Sequence, residues 1–347
     1  MYIRKILVLI ALLGIVGLSI FSYFVYDSIF MSNTAFSEEK VNVYIPTGSE
    51  FEDVLERMEP LLEDEESFKI VAQKKGYINN ILPGRFILQK GMSNNEIINT
   101  LRSQNIPVSV QFNNQERLEN LAGRIAEQIE ADSLELLKSM KDSVFLDAHG
   151  FDLRNALSMY VPNTYEFFWN TSGMEFREMM KQEYDRFWTQ QRLAKAEDIG
   201  LTPMEVITLA SIVQKETAKV EERKRVAGVY MNRINKGWKL EADPTVIFAL
   251  KDKLDNFDTI IKRVLYKDLK IESPYNTYLY PGLPPGPITM PDISSIEAVL
   301  NFEDHDYFYF VADVENFGYH KFAKTLAQHN ANKREYVKWI NQQKINR

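Results

Sequence analysis

The chain has 347 residues, of which 45% are hydrophobic and 26% charged, so it can form a sizeable core and about two domains. Its net charge of −7 argues against nucleic acid as a partner, because nucleic-acid-binding domains usually carry a basic surface. The sequence contains no cysteine and no HExxH pair, which excludes thiolate metal sites and argues against a zinc hydrolase. We therefore expect neither a metal nor another cofactor.

An uncharged apolar run occupies residues 6–26, about the length that a membrane-spanning helix needs. Arg4 and Lys5 precede it and Asp27 follows it, so the positive-inside rule predicts a cytoplasmic N-terminus at residues 1–5 and places the rest of the chain outside. A cleaved signal peptide is the alternative. Its apolar region is usually only 7 to 15 residues long, which favours a single permanent anchor.

Residues 41–102 read as a small α+β module. A strand pattern at 41–46 leads into an amphipathic helix, and a second strand at 82–88 is followed by a helix at 93–102. Nothing in this module resembles a catalytic motif. It is expected to be a binding or spacing domain, with a purely structural stem as the alternative.

A second, larger α+β domain is expected at residues 116–347. It begins with a helical pattern at 116–141, and another long helical pattern covers 176–197.

The most informative helix of this domain begins at Thr202, a good N-cap, with Pro203 in the first helical position and Glu205 where a capping box needs its carboxylate. Its apolar face includes Leu209 and Val213, and Glu216 falls on the same arc. The helix should therefore present a carboxyl group beside buried surface.

Two interpretations of Glu216 are open at this point. It could end the helix as a structural ion pair with Arg223 or Arg225. Alternatively, burial could keep its carboxyl group protonated near pH 7, so that it can donate a proton to a leaving group.

Further candidate residues lie in loops, which often carry functional sites. They are Asp243, which precedes Pro244 and could equally be a turn or cap residue, and the segment Tyr275, Asn276, Thr277 and Tyr278.

Seven motifs then occur in order: LASIVQKET, ERKRVAGVYMNRI, ADPTV, SPYNTY, GLPPGPI, YFVA and HKFAKTLAQHN. Together they resemble the membrane-anchored endolytic peptidoglycan transglycosylases, the YceG-like or MltG family, over most of residues 41–340. The resemblance implies cleavage of the β-1,4 bond between N-acetylmuramic acid and N-acetylglucosamine in nascent strands, with a 1,6-anhydro product. It also implies that residues 41–102 are LysM-like.

The resemblance assigns the catalytic role to Glu216. Many relatives carry a second glutamate two positions earlier, where this chain has Gln214, whose amide cannot act as the acid. Tyr275, Asn276 and Thr277 match a motif expected beside the catalytic glutamate, where they would hold an N-acetyl group and the reacting sugar. Tyr278 and Asp243 complete the predicted substrate-binding set.

The predicted function is therefore that of an inner-membrane lytic transglycosylase whose catalytic domain lies in the periplasm or outside the cell and whose cuts end strand elongation. Its expected partners are glycan strands and, by resemblance only, the peptidoglycan polymerases of the elongation or division machinery. Two alternatives remain: a hydrolase with Asp243 or Glu241 as second carboxylate, because hydrolases usually need a pair, and a non-catalytic scaffold that binds the cell wall.

Overall fold

The chain divides into two units in the computed structural model, which describes residues 2–261 and 263–342. Residue 1 of the predicted cytoplasmic segment, and residues 262 and 343–347 of the predicted catalytic domain, lie outside the described residues. The first unit comprises the chain up to Val110 together with 128–131 and 165–172, and the second comprises the remainder. Both contain helices and strands, in agreement with the predicted α+β class.

The first unit has two strands and four α-helices among its described residues, with further strand residues at its boundary. In chain order they are α1 (Tyr2–Phe30), β1 (Lys40–Ile45), α2 (Phe51–Met58), α3 (Glu65–Lys74), β2 (Gly84–Gln89) and α4 (Asn94–Ser103). Strands β1 and β2 pair in antiparallel register, with Val43 opposite Phe86. This pairing matches the two strands predicted for the module.

Helix α1 contains the whole predicted apolar run. It is long enough and apolar enough to cross a membrane, and the side chains of that run are exposed rather than packed in a core. Its length and composition are compatible with a single-pass anchor.

The chain that follows α1 is built into the first unit. Asn33 is buried, and its side-chain amide donates to the Asp64 carbonyl at 2.8 Å and to Asn94 Oδ1 at 2.7 Å. The side chain of Asn94 donates in turn to the Ser28 carbonyl at 2.8 Å. Phe36 joins the hydrophobic core of this unit. The polar groups of this segment are therefore buried with partners, as stable burial requires.

Strands β3 (Val108–Phe112) and β4 (Asn163–Phe167) form a two-stranded sheet at residues where the chain passes from one unit to the other.

The second unit is mainly helical in its described part. Its elements are α5 (Leu118–Ala126), α6 (Ser133–Met140), α7 (Ser143–Ala148), α8 (Gly173–Phe187), α9 (Gln190–Asp198), α10 (Pro203–Glu216), α11 (Arg223–Asn235), α12 (Asp243–Lys253), α13 (Ile293–Leu300), β5 (Tyr309–Ala312), β6 (His320–Ala323) and α14 (Leu326–Gln342). Strands β5 and β6 pair in antiparallel register.

Two long predicted helices are each interrupted in the structure. The pattern at 116–141 is divided into α5 and α6, where Asp132 caps a new helix by accepting hydrogen bonds from Leu134 N and Glu135 N. The pattern at 176–197 is divided into α8 and α9, where the Thr189 side chain caps the second helix. Side-chain capping of free N–H groups competes with helix continuation, so apolar periodicity alone overestimated both lengths.

The core of the second unit surrounds α10. All residues of this helix from Val206 to Val213 are buried, and they pack with apolar residues of α11, α12 and α13. The predicted proline-rich turn at 282–288 also contacts α10, because Ile288 N donates to Ser211 Oγ at 3.0 Å. The C-terminal end of α10 is thus held on several sides.

Candidate active site

Glu216 is the last residue of α10. The predicted helix start is confirmed: Thr202 Oγ1 accepts from Glu205 N, the Glu205 carboxylate accepts from Thr202 N, and Pro203 occupies the first turn. The capping box fixes the start of the helix and its buried body fixes the helix in the core, so its last residue, Glu216, is held in a defined position.

The hydroxyl group of Tyr230 on α11 donates to Glu216 Oε1 at 2.6 Å. Neither arginine of the structural alternative contacts the carboxyl group. Arg223 donates to Ser294 Oγ at 2.7 Å, and Arg225 donates to Glu303 at 3.0 Å. The structure therefore contradicts the ion-pair interpretation.

Burial raises the pKa of Glu216 from its ordinary 4.5 to about 7. The nearby charge of Asp243 raises this pKa further, whereas the Tyr230 hydrogen bond, His320 and Arg233 lower it. The side chain is nevertheless partly exposed. An accessible carboxyl group with a pKa close to neutral can act first as an acid and then as a base.

Asp243 lies on α12, near enough to Glu216 for their charges to interact. It was predicted in a loop, but it is the first residue of the helix, where Pro244 at the second position removes no needed N–H. The exposed Asp243 carboxylate accepts the Tyr278 hydroxyl at 2.6 Å. Burial and this hydrogen bond raise the pKa of Tyr278, which keeps its hydroxyl protonated. Asp243 and Tyr278 thus form a hydrogen-bonded pair beside the glutamate.

The other three residues of the predicted substrate-binding loop are buried. Asn276 donates to the carbonyls of Leu269 and Ile271 at 3.0 and 2.8 Å. Thr277 Oγ1 accepts from Ala242 N at 3.0 Å, which ties the loop to the start of α12.

Tyr275 packs against Phe248, and its hydroxyl donates to the Arg154 carbonyl at 3.1 Å. In this geometry the side chains of Tyr275, Asn276 and Thr277 hold the loop, and Tyr278 is the member that faces the site. Direct substrate contact by the three buried residues stays a prediction.

Gln214, where many relatives were expected to carry a glutamate, has its own structural partners. Its Oε1 accepts from Asp292 N at 2.5 Å and from Ser295 Oγ at 3.1 Å. These bonds connect α10 to the start of α13.

Sequence reasoning did not assign a functional role to Tyr230, Arg233 or the pair formed by Glu222 and His320. Glu222 is buried, and it accepts from His320 N at 2.8 Å and contacts His320 Nδ1 at 2.7 Å. Arg233 is held by the carbonyls of Phe308 and Leu240. The sequence signal that could have identified Tyr230 is its position on an otherwise apolar face of α11. A buried tyrosine hydroxyl usually has a hydrogen-bond partner, which would have directed a search to the neighbouring polar groups.

Comparisons with known proteins agree with the motif pattern. The profile described as the YceG-like family matches residues 43–335. An endolytic murein transglycosylase of Bacillus subtilis is 30% identical over 87% of this chain and 86% of its own length.

An endolytic murein transglycosylase of Streptococcus pneumoniae is 28% identical over 97% of this chain and 65% of its own length. The crystal structure of a YceG-like protein of Listeria monocytogenes superposes with a TM-score of 0.56 at 28% identity, covering 85% of this chain and 99% of that chain.

Proposed function

Because the chain belongs to the YceG-like family, we propose that it is a peptidoglycan lytic transglycosylase with Glu216 as its acid and base. The observation that carries the proposal is the setting of Glu216: a partly exposed carboxyl group at the end of a buried helix, with a pKa of about 7. A general acid of this kind typically contributes 10² to 10⁴ in rate. The names of the curated relatives support the same reaction class.

The substrate is the β-1,4 bond between N-acetylmuramic acid and N-acetylglucosamine within a strand. Protonated Glu216 donates its proton to the glycosidic oxygen as the bond to C1 breaks. The resulting carboxylate then takes the proton of the muramic acid 6-hydroxyl, whose oxygen bonds to C1. The products are a 1,6-anhydromuramic end and a free 4-hydroxyl on N-acetylglucosamine, and no water is consumed.

Intramolecular attack favours a site with one acid–base group. The 6-hydroxyl is already attached to the reacting ring, so the site only has to hold that ring in an attacking conformation. Tyr278 and Asp243 lie beside Glu216 with polar groups that can orient a sugar. The buried loop of Tyr275, Asn276 and Thr277 positions this pair.

A two-carboxylate hydrolase is the second candidate, because the charge of Asp243 influences Glu216. In that mechanism Asp243 would activate water or attack C1. Its hydrogen bond with Tyr278 favours a sugar-orienting role instead.

Mass spectrometry of products from purified glycan strands in ¹⁸O-labelled water separates the candidates. A lytic transglycosylase yields 1,6-anhydromuramic ends without label, and internal cutting yields medium-length fragments before disaccharides. Reducing muramic ends that carry ¹⁸O would refute the mechanism and assign the second role to Asp243. If the wild-type protein leaves the strands uncut, the protein is a scaffold. If the wild type cuts them and Glu216 is the acid, Glu216→Gln should leave them uncut.

The anchor and the first unit complete the proposal. Helix α1 would span the bacterial inner membrane once, with residues 1–5 in the cytoplasm and the second unit outside it, which Arg4 and Lys5 support. The module at 41–102 would be LysM-like and bind glycan. Cutting nascent strands ends their elongation, so peptidoglycan polymerases of the elongation or division machinery are the proposed protein partners.

A further inference from the structure

Tyr230 is held in a single position beside Glu216. It is 1% exposed, and its ring packs edge-on against Phe310 of β5 with 5.9 Å between ring centroids. A buried tyrosine packed in this way cannot change its rotamer without disturbing the core. Its hydroxyl group therefore has a constant relation to the carboxyl group of Glu216.

The hydrogen bond distinguishes the two oxygens of Glu216. Oε1 accepts the Tyr230 hydroxyl at 2.6 Å, whereas no hydrogen bond from another described residue reaches Oε2. The glutamate side chain is partly exposed, so Oε2 is the oxygen available to a sugar. An oxygen that already accepts a short hydrogen bond is the poorer place for the acidic proton.

We propose that Tyr230 is a positioning residue that keeps the acidic proton of Glu216 on Oε2 and stabilises the carboxylate once that proton has left. The inference rests on the proposed function of Glu216. During the first step the proton moves from Oε2 to the glycosidic oxygen, and the bond from Tyr230 to Oε1 becomes charge-assisted and stronger. During the second step the proton of the 6-hydroxyl returns to Oε2.

Besides Tyr230, four titratable or charged groups interact with Glu216 and have to be considered in a pH experiment. Asp243 on α12 raises the pKa of Glu216, and Arg233 on α11 and His320 on β6 lower it. Tyr278 stays neutral because its own pKa is raised. Replacing Tyr230 leaves these four groups in place, so its effect can be separated from theirs.

The test compares the full-length Tyr230→Phe protein with wild type in detergent, using purified glycan strands. Removing a hydrogen bond to a charged group should lower kcat on the order of 10- to 100-fold, with KM little changed. The hydrogen bond from Tyr230 lowers the pKa of Glu216 in the wild type. Its removal should therefore raise that pKa and move the basic limb of the kcat profile to higher pH.

Tyr77→Phe is the matched control, because Tyr77 is fully buried in the first unit and its hydroxyl has no hydrogen-bond partner among the described residues. Its pH profile should equal that of the wild type. A Tyr230→Phe profile that also equals the wild-type profile would overturn the inference.

Two further measurements keep the inference testable. If Tyr230→Phe unfolds below the assay temperature, Phe310→Leu keeps the hydroxyl but removes the ring that orients it. A reduced kcat with a basic limb moved to higher pH is then expected, and wild-type behaviour would refute the positioning role.

Infrared titration of the Glu216 carboxyl, taken as the difference between the wild type and Glu216→Gln, measures the effect of Tyr230 on Glu216 without an activity assay. The same titration of Tyr230→Phe, taken against the Glu216→Gln/Tyr230→Phe double variant, should give a higher midpoint. An inactive wild type would refute the proposed function, whereas an unchanged infrared midpoint would refute the coupling between Tyr230 and Glu216 on which the inference depends.

Discussion

Replacing Glu216 with glutamine should stabilise the folded protein, and the gain should depend on pH. The folded-state pKa of about 7 lies above the ordinary value of 4.5, so the folded state binds the proton more tightly than the unfolded state. The stability that protonation of Glu216 contributes is therefore fully present below pH 4.5 and is lost as the pH rises through about 7. Each pKa unit corresponds to about 1.36 kcal/mol, so the difference gives an upper estimate of about 3 kcal/mol.

Glutamine carries no charge at any of these pH values and has nearly the same shape. Glu216→Gln should thus be about as stable as wild type at pH 4.5 and more stable by up to about 3 kcal/mol at pH 8. The measurement is urea unfolding of the full chain in detergent, followed by tryptophan fluorescence from pH 4.5 to 8.

The control is Glu197→Gln on the exposed surface of α9, which should change stability little at any pH. A stability difference for Glu216→Gln that does not vary with pH would refute the reasoning. A variant that is less stable at every pH would show that Glu216 has a structural role instead.

Two further predictions concern Asp243 and the segment after the anchor helix. Asp243→Asn removes a charge that raises the pKa of Glu216, so the basic limb of the kcat profile should move to lower pH with partial activity retained. The control Asp198→Asn on α9 should leave the profile unchanged, and complete loss of activity in Asp243→Asn would favour the hydrolase. A truncated protein that begins at Val41 lacks the buried Asn33 and Phe36, so the free energy of unfolding of its first unit should be lower by roughly 3 kcal/mol than in a protein that begins at Asp27. Its urea midpoint should be lower accordingly, and equal midpoints would contradict this.

Local chemistry explains which parts could be predicted from the sequence. The start of α10 follows from three neighbouring residues, Thr202, Pro203 and Glu205, whose capping interactions lie within one turn. The apolar run at 6–26 and the strands of the first unit follow from composition and alternation in the same way. Helical periodicity also predicts the position of Glu216, because a single carboxylate on an otherwise apolar helix face can be recognised without tertiary information.

The sequence by itself therefore determined the mixed helical and stranded class, the apolar N-terminal helix and the position of Glu216 on the apolar face of a capped helix. Only the tertiary structure decided that Tyr230, rather than Arg223 or Arg225, contacts the carboxyl group, and that Asp243 begins a helix. It also decided that Asn276 and Thr277 are buried. The physical reason is that a pKa near 7 and a hydrogen-bond partner 14 residues away depend on how α10, α11 and α12 pack, and no local pattern encodes that packing.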